Sequence, residues 1–139
     1  MDKKRVLILC TGNSCRSQMA EGLVNHYLSD QWQAYSAGSA PSGSVHPLAV
    51  QSMAELDIDI SDNISESVEA YRALDPHLVI TVCDNAARNC PAWVGEGDVV
   101  HMPFDDPTHV AGSDAIRLAA CREVRDLMRD ELLGNLRGG

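Results

Sequence analysis

No stretch of the chain approaches the roughly 18 consecutive apolar residues that a membrane-spanning helix requires, so such a helix is excluded. Basic residues are scarce. Eleven Lys and Arg face 20 Asp and Glu, a net charge of −9. That balance argues against nucleic acid or an anionic membrane face as a partner. There is no C-x-x-C and no paired-histidine spacing; His26, His46, His77, His101 and His109 are scattered, which speaks against a structural zinc site. Internal repeats are absent, and the only biased tract is the terminal Gly138-Gly139.

What remains is an ordinary globular composition in 139 residues, 45% of them hydrophobic. That length predicts a single domain over 1–139. A domain of this size buries about 68–70% of its unfolded surface and needs no staples. Asp2-Lys3-Lys4-Arg5 followed by Val6–Leu9 has the charge order of a secretory leader. Its apolar run falls short of the roughly 7–15 residues of such a leader, so a first strand and a cytoplasmic protein are expected. The five cysteines, Cys10, Cys15, Cys83, Cys90 and Cys121, are an odd number. Without a leader, that points to reactive thiols rather than a disulfide framework.

Strand and helix patterns alternate. Arg5–Leu9 reads as a strand, and from Ser17 the positions Met19, Ala20, Leu23, Val24, Tyr27 and Leu28 recur at helical spacing. Gln33–Ser36 is a short strand, Ala37–Ser44 a loop, and Pro47 suits the first turn of a helix through Val50, Met53 and Ala54. Ile58–Ser61 reads equally as strand or extended loop, and Glu66–Ala73 as a short helix. Leu78–Val82 is a continuous β-branched run of the kind found in central parallel strands, with Asp98–His101 a weaker fourth strand. Ser113 caps a long helix; the spacing predicts that Ile116, Ala120, Val124 and Leu127 share one face, while Arg122, Asp126 and Arg129 pair on another. The alternation predicts an α/β domain of three layers, a four-stranded parallel sheet flanked by helices. Ligands then sit at the carboxyl ends of the strands, the rim that carries Cys10, Cys83 and Asp105-Asp106-Pro107.

The segment Cys10-Thr11-Gly12-Asn13-Ser14-Cys15-Arg16-Ser17 carries the chemistry. A loop of small residues lets the consecutive amides of Thr11 through Arg16 converge on one tetrahedral oxyanion, with a helix N-terminus behind them. Gly12 and Asn13 are the residues that tolerate the left-handed backbone such a nest needs. Arg16 can grip two oxygens in a fork, which Lys cannot reproduce. The same field is expected to lower the Cys10 pKa; two units below about 8.5 corresponds to about 2.7 kcal/mol. Ser17 is placed to donate a hydrogen bond to the sulfur. A carboxyl from Asp105-Asp106-Pro107 facing Cys10 can protonate a departing oxygen.

Parallel neighbours lie about 4.8 Å apart, and disulfides need Cα atoms roughly 4.4–6.8 Å apart. If the first and third strands adjoin, Cys10 and Cys83 can approach bonding distance. Cys90 lies seven positions beyond Cys83. A helix would hold those two about 10 Å apart, so a bond between them requires Asp84–Asn89 to bend or unwind.

Taken together these residues resemble the thioredoxin-coupled arsenate reductases, which share the fold of low-molecular-weight protein tyrosine phosphatases. The resemblance spans nearly the whole chain: Cys10–Gly22, Tyr35-Ser36-Ala37-Gly38, Ile58–Ser61, Cys83…Cys90-Pro91 and Phe104-Asp105-Asp106-Pro107. It implies that Cys10 attacks arsenate held by the loop amides and Arg16, with Asp106 helping an oxygen leave as water. It implies further that Cys83 attacks Cys10 and Cys90 then takes over Cys83, leaving a disulfide for thioredoxin. Phosphate or sulfate would mimic the substrate. Cys15 contributes an amide, while its thiol and that of Cys121 are structural. No tightly bound cofactor is implied. Some members hold potassium beside the loop; Asn13, Glu21 and Ser36 match that site, but Ile64 and Glu66 stand where Thr and Asp are expected.

Two rival readings share the same loop. A tyrosine phosphatase needs Cys10 but neither Cys83 nor Cys90. Phosphatase relatives also carry tyrosines after Asp-Pro, where this chain has Thr108 and His109, and a proline where it has Gln18. A redox-sensing module would not need Arg16, Ser17 and Asp106 to converge on one thiol.

Overall fold

The computed structural model describes residues 3–82 and 97–138. Four parallel strands form one sheet: β1 (Lys4–Cys10), β2 (Trp32–Gly38), β3 (Leu78–Thr81) and β4 (Asp98–His101), in the order β2-β1-β3-β4. Successive residues of a strand face opposite sides, and both faces of β1 are apolar. Val6, Ile8 and Cys10 join a large cluster with the helices, and Leu7 and Leu9 a smaller one with Ala37, Val68 and Val79.

The helices α1 (Arg16–Tyr27), α2 (Pro47–Ala54) and α3 (Asp114–Gly138) supply the large cluster. Among the described residues, the other face is covered by a single 3-10 turn at Val68–Tyr71. That turn stands where a short helix over Glu66–Ala73 was expected. Ile58–Ile60 is extended loop rather than strand, and its two isoleucines pack beside Gly22, where a Cβ would come within 2.9 Å of Ile60. No helix among the described residues is long and apolar enough to cross a membrane.

The long helix corrects its expected phase. Ile116 and Leu127 are about half exposed, while Leu118, Cys121, Met128, Leu132 and Leu136 face the core. Arg125 lies within that buried stripe and disguises it. Its Nη1 donates to the Ser52 carbonyl at 2.8 Å and to Glu55 at 2.8 Å, and its Nε to Asp126 at 2.9 Å. The expected pairing of Arg122 with Asp126 is replaced by one with Glu55, at 2.6 Å. Ser113 caps the helix as expected, its Oγ accepting from the Ile116 amide at 3.3 Å.

The sheet order places the chemistry. From β1 the chain crosses to β2 on one side, while β3 lies on the other, so β1 and β3 flank the point where the connections diverge. Crevices at such points bind ligands in open parallel sheets. Leu9 pairs with Thr81, and the Val82 amide donates to the Leu9 carbonyl at 2.9 Å. Strands one and three are therefore neighbours, as the exchange between Cys10 and Cys83 requires. Cys83 and Cys90 themselves lie outside the described residues.

Candidate active site

Between Cys10 and α1 the backbone turns its carbonyls outward. The Thr11 oxygen accepts from the Ala40 amide, that of Gly12 from Ser42 and that of Ser14 from His46, each at 2.9 Å. The Asn13 oxygen accepts from Gln18 Nε2 at 3.2 Å, and Ser65 Oγ also donates to Gly12 at 3.1 Å. Four consecutive carbonyls held from behind leave the amides to the inner side, the arrangement that binds an oxyanion at a helix N-terminus. Asn13 takes the left-handed backbone this needs, with φ of 46°. Gly12 does not: a positive φ at the single residue Asn13 is enough to reverse the loop.

The inner side holds a cavity of about 50 Å³ lined by Cys10, Gly12, Ser14, Arg16, Asp106 and Thr108, together with Cys15. Holding one water takes about 10–15 Å³ of such space, so the cavity has room for a small anion. A larger hollow of about 310 Å³, near Lys4, Trp32 and His77, lies at the amino ends of the strands, away from every candidate group.

Arg16 is buried, and two contacts fix its guanidinium. Nη1 donates to the Phe104 carbonyl at 3.0 Å, and Nη2 lies 3.5 Å from Asp106 Oδ2. Asp106 in turn accepts from the amide and hydroxyl of Thr108, at 2.9 and 2.6 Å, and stands 3.3 Å from His109 Nε2. Burial pushes the Asp106 carboxyl up, but Thr108, Arg16 and His109 together hold it below its ordinary value.

Cys10 is 3% exposed. Burial pushes its thiol above the ordinary value, against the pull of Arg16 and the Thr11 and Gly12 amides; the Asp106 carboxylate adds to the upward push. The expected depression is thus reversed. Loop amides and guanidinium act as expected, but the desolvation of the sulfur and a second charge outweigh them. The buried Ser17 hydroxyl accepts from Asn13 Nδ2 at 2.9 Å, which ties it to the loop while its own proton remains to be donated.

Asn13, Glu21 and Ser36 do come together beside α1. Ser36 Oγ donates to Glu21 Oε1 at 3.3 Å and Asn63 Nδ2 to Glu21 Oε2 at 2.8 Å. Asn13 Oδ1 accepts from the Glu66 amide at 2.8 Å and from Gln18 Nε2 at 3.1 Å. Asn13 Oδ1 and both Glu21 oxygens thus already accept from protein N–H or O–H groups, and Ser36 Oγ acts as a donor, so as arranged these groups are engaged by protein partners. Burial raises the Glu21 carboxyl to about 7, despite the hydrogen bonds from Ser36.

A model of the low-molecular-weight phosphotyrosine protein phosphatases matches residues 5–130. The chain belongs to that family. Within that family, relatives of this chain are named for another reaction. An arsenate reductase of Halalkalibacterium halodurans is 47% identical over 126 residues, 91% of this chain and 90% of that one. A structure of an arsenate reductase in the phosphate-binding state superposes with a TM-score of 0.81 at 32% identity, over 97% of this chain and 98% of the other. A thioredoxin-dependent arsenate reductase of Corynebacterium glutamicum gives 0.63 at 25% identity, over 99% of this chain and 64% of that one.

Two parts of this candidate site escaped the sequence reading. Phe104 acts through its carbonyl, which no side-chain pattern signals. Gln18 joins Asn13, the Ile64 carbonyl and Asn63 in one buried knot; the departure from proline at that position was its only trace.

Proposed function

We propose that this chain reduces arsenate to arsenite and is regenerated by thioredoxin in the cytoplasm. The observation that carries the reading is the small cavity that unites the Cys10 sulfur, the loop amides, Arg16 and Asp106. Relatives named arsenate reductases along nearly the whole chain support the choice of substrate.

Arsenate would sit on the amides of Thr11 through Arg16, with two oxygens on the guanidinium. This local field overcomes the repulsion expected from a net charge of −9. The Cys10 sulfur attacks arsenic, and one oxygen leaves as water with a proton from Asp106. Asp106 must carry that proton at the moment of departure. The bound oxyanion supplies the reason, since a second negative charge beside a carboxylate raises its affinity for protons. Cys83 then attacks the Cys10 sulfur; the electron pair of the sulfur–arsenic bond stays with arsenic, which departs as arsenite. Cys90 attacks Cys83, freeing Cys10, and the Cys83–Cys90 disulfide is reduced by the dithiol of thioredoxin. Each transfer is thiolate attack on sulfur, directed by access and leaving-group acidity.

The test is arsenate-dependent NADPH oxidation with thioredoxin and its reductase, for wild type, Cys83→Ser and Cys90→Ser. Turnover should be lost in both variants; unchanged turnover in either ends the relay. Hydrolysis of an aryl phosphate that survives in both variants would show that the cradle also runs phosphatase chemistry, which needs Cys10 alone.

A further inference from the structure

The Asp106 carboxyl is mostly enclosed. Its side chain is 14% exposed, and Oδ1 already accepts twice, from the amide and the hydroxyl of Thr108. Oδ2 is placed between two partners: Arg16 Nη2, which belongs to the anion cavity, lies 3.5 Å from it, and His109 Nε2 lies 3.3 Å from it on the other side of the short turn Pro107–His109 that Asp106 caps. The His109 side chain is 82% exposed. One ring thus meets bulk water and, through Nε2, the enclosed carboxylate, the placement of a proton shuttle. Among the described residues, the other ionisable groups around Asp106 are committed elsewhere. Arg16 and Arg117 keep their charge throughout, and Arg117 is bound to the Thr108 carbonyl at 3.2 Å and to Asp114 at 3.8 Å. His46 accepts on Nδ1 from the Leu48 amide at 3.1 Å, and burial and Arg117 hold it below its ordinary value. Asp105 is exposed, and Cys10 is the attacking group.

We propose that His109 carries to Asp106 Oδ2, once per turnover, the proton that leaves with the arsenate oxygen. The proposal rests on the arsenate reading above and names the source of the proton that reading requires. With the cavity empty, imidazolium and carboxylate form an ion pair, and Arg16, Thr108 and His109 keep the carboxyl ionised. An anion seated beside Asp106 engages the Arg16 charge and adds its own, and both changes raise the carboxylate's affinity for a proton. The Nε2 proton then passes across the 3.3 Å contact to Oδ2, leaving neutral imidazole and a carboxylic acid. As the sulfur–arsenic bond forms, an arsenic–oxygen bond breaks. The departing hydroxyl keeps that electron pair, takes the proton from Oδ2 and leaves as water. Asp106 is a carboxylate again, and His109 recovers a proton from solvent. His109 acts through Asp106 and does not touch the arsenate.

The experiment follows a single turnover: reduced full-length protein in excess over arsenate, without thioredoxin, and arsenite separated from arsenate after an acid quench. Wild type that forms no arsenite would end the arsenate reading, and this proposal with it, a result distinct from any difference between variants. His109→Ala should slow the turnover roughly ten-fold near neutral pH, short of the roughly 10²–10⁴-fold for losing a general acid itself, because water still reaches the carboxyl. His109→Gln keeps an N–H donor but has no proton to transfer, and should be slowed as much. Imidazole added to His109→Ala should restore the rate, since the exposed position leaves room for it. Measured against the same variant without imidazole at each pH, that rescue should follow the protonated fraction of the added imidazole, and wild type should not respond. Inorganic phosphate, titrated by calorimetry, should bind both variants as tightly as wild type, which places the loss in the proton transfer and not in the cradle. Wild-type turnover in either variant, a deficit that imidazole does not relieve, or weakened phosphate binding that accounts for the loss would overturn the proposal.

Discussion

The Arg16 guanidinium is held 3.5 Å from the Asp106 carboxylate, inside the cavity that also contains the attacking sulfur. Asp106 thus holds one end of the planar guanidinium, while the Phe104 carbonyl takes an N–H from the other. Lysine at this position would keep the charge and lose both the fork and the second anchor. Arg16→Lys should therefore lower kcat/KM for arsenate by roughly 10²-fold, the scale of losing charge-assisted hydrogen bonds in a buried site. Steady-state kinetics decides it: a value within a few-fold of wild type would remove Arg16 from the binding role.

In the proposed reaction Asp106 would act on Cys10 as well as on the leaving oxygen. Its carboxylate is one of the two influences that push the Cys10 thiol up, the other being burial. Asp106→Asn should therefore move two observables in opposite directions. The pH at which Cys10 becomes reactive toward iodoacetamide should fall, because a charge that disfavours the thiolate is gone. Arsenate turnover should drop by roughly 10²–10⁴-fold, the range for loss of a general acid. A thiol titration that stays in place or moves upward would show that the two groups are not electrostatically coupled.

Much of this was legible before any coordinates. The β-branched runs and the periodicity around Met19 and Leu23 gave their elements away, because one apolar face and one period describe them. The helix after Ser113 misled because Arg125 occupies a core-facing position, its charge satisfied by Glu55, Asp126 and a carbonyl from a different helix. No local pattern encodes such partners. The loop's composition announced an oxyanion site, but its construction depends on amides at 40, 42 and 46 that hold the carbonyls from outside. The reversal at Cys10 has the same origin, since burial and the approach of Asp106 are tertiary facts.

Gly38, at the end of β2, touches that construction directly. A Cβ there would lie 2.4 Å from the Thr11 carbonyl oxygen and 3.0 Å from the Asn13 amide nitrogen. Neither atom belongs to a flexible side chain, so the loop must shift. Gly38→Ala should cost about 1–3 kcal/mol by chemical denaturation, the usual scale of overpacking, and should weaken phosphate binding besides. An alanine variant with wild-type stability and phosphate affinity would mean that the loop has slack not evident in its contacts.

Glu21 makes the last prediction, and its sign can be worked out. The carboxyl is raised to about 7 by burial, from an ordinary value of 4.5. Between those limits the folded protein holds a proton that the unfolded chain has released. Its contribution is therefore fully present below pH 4.5 and is lost as pH rises through 7, to a total on the order of 3 kcal/mol. Glu21→Gln keeps a neutral group of the same shape and removes this titration. Urea unfolding at pH 5 and pH 8 should show the variant gaining on wild type by roughly that amount at the higher pH. Other ionisable groups cancel in the difference, so parallel pH profiles would refute the buried, proton-holding state. Potassium enters the same experiment. Because Asn63 and Ser36 already donate to the two oxygens of Glu21, exchanging KCl for NaCl at constant ionic strength should leave wild-type stability and turnover unchanged. A potassium-specific gain at pH 8 that Glu21→Gln abolishes would mean that a cation displaces the Asn63 amide and takes the place of the proton.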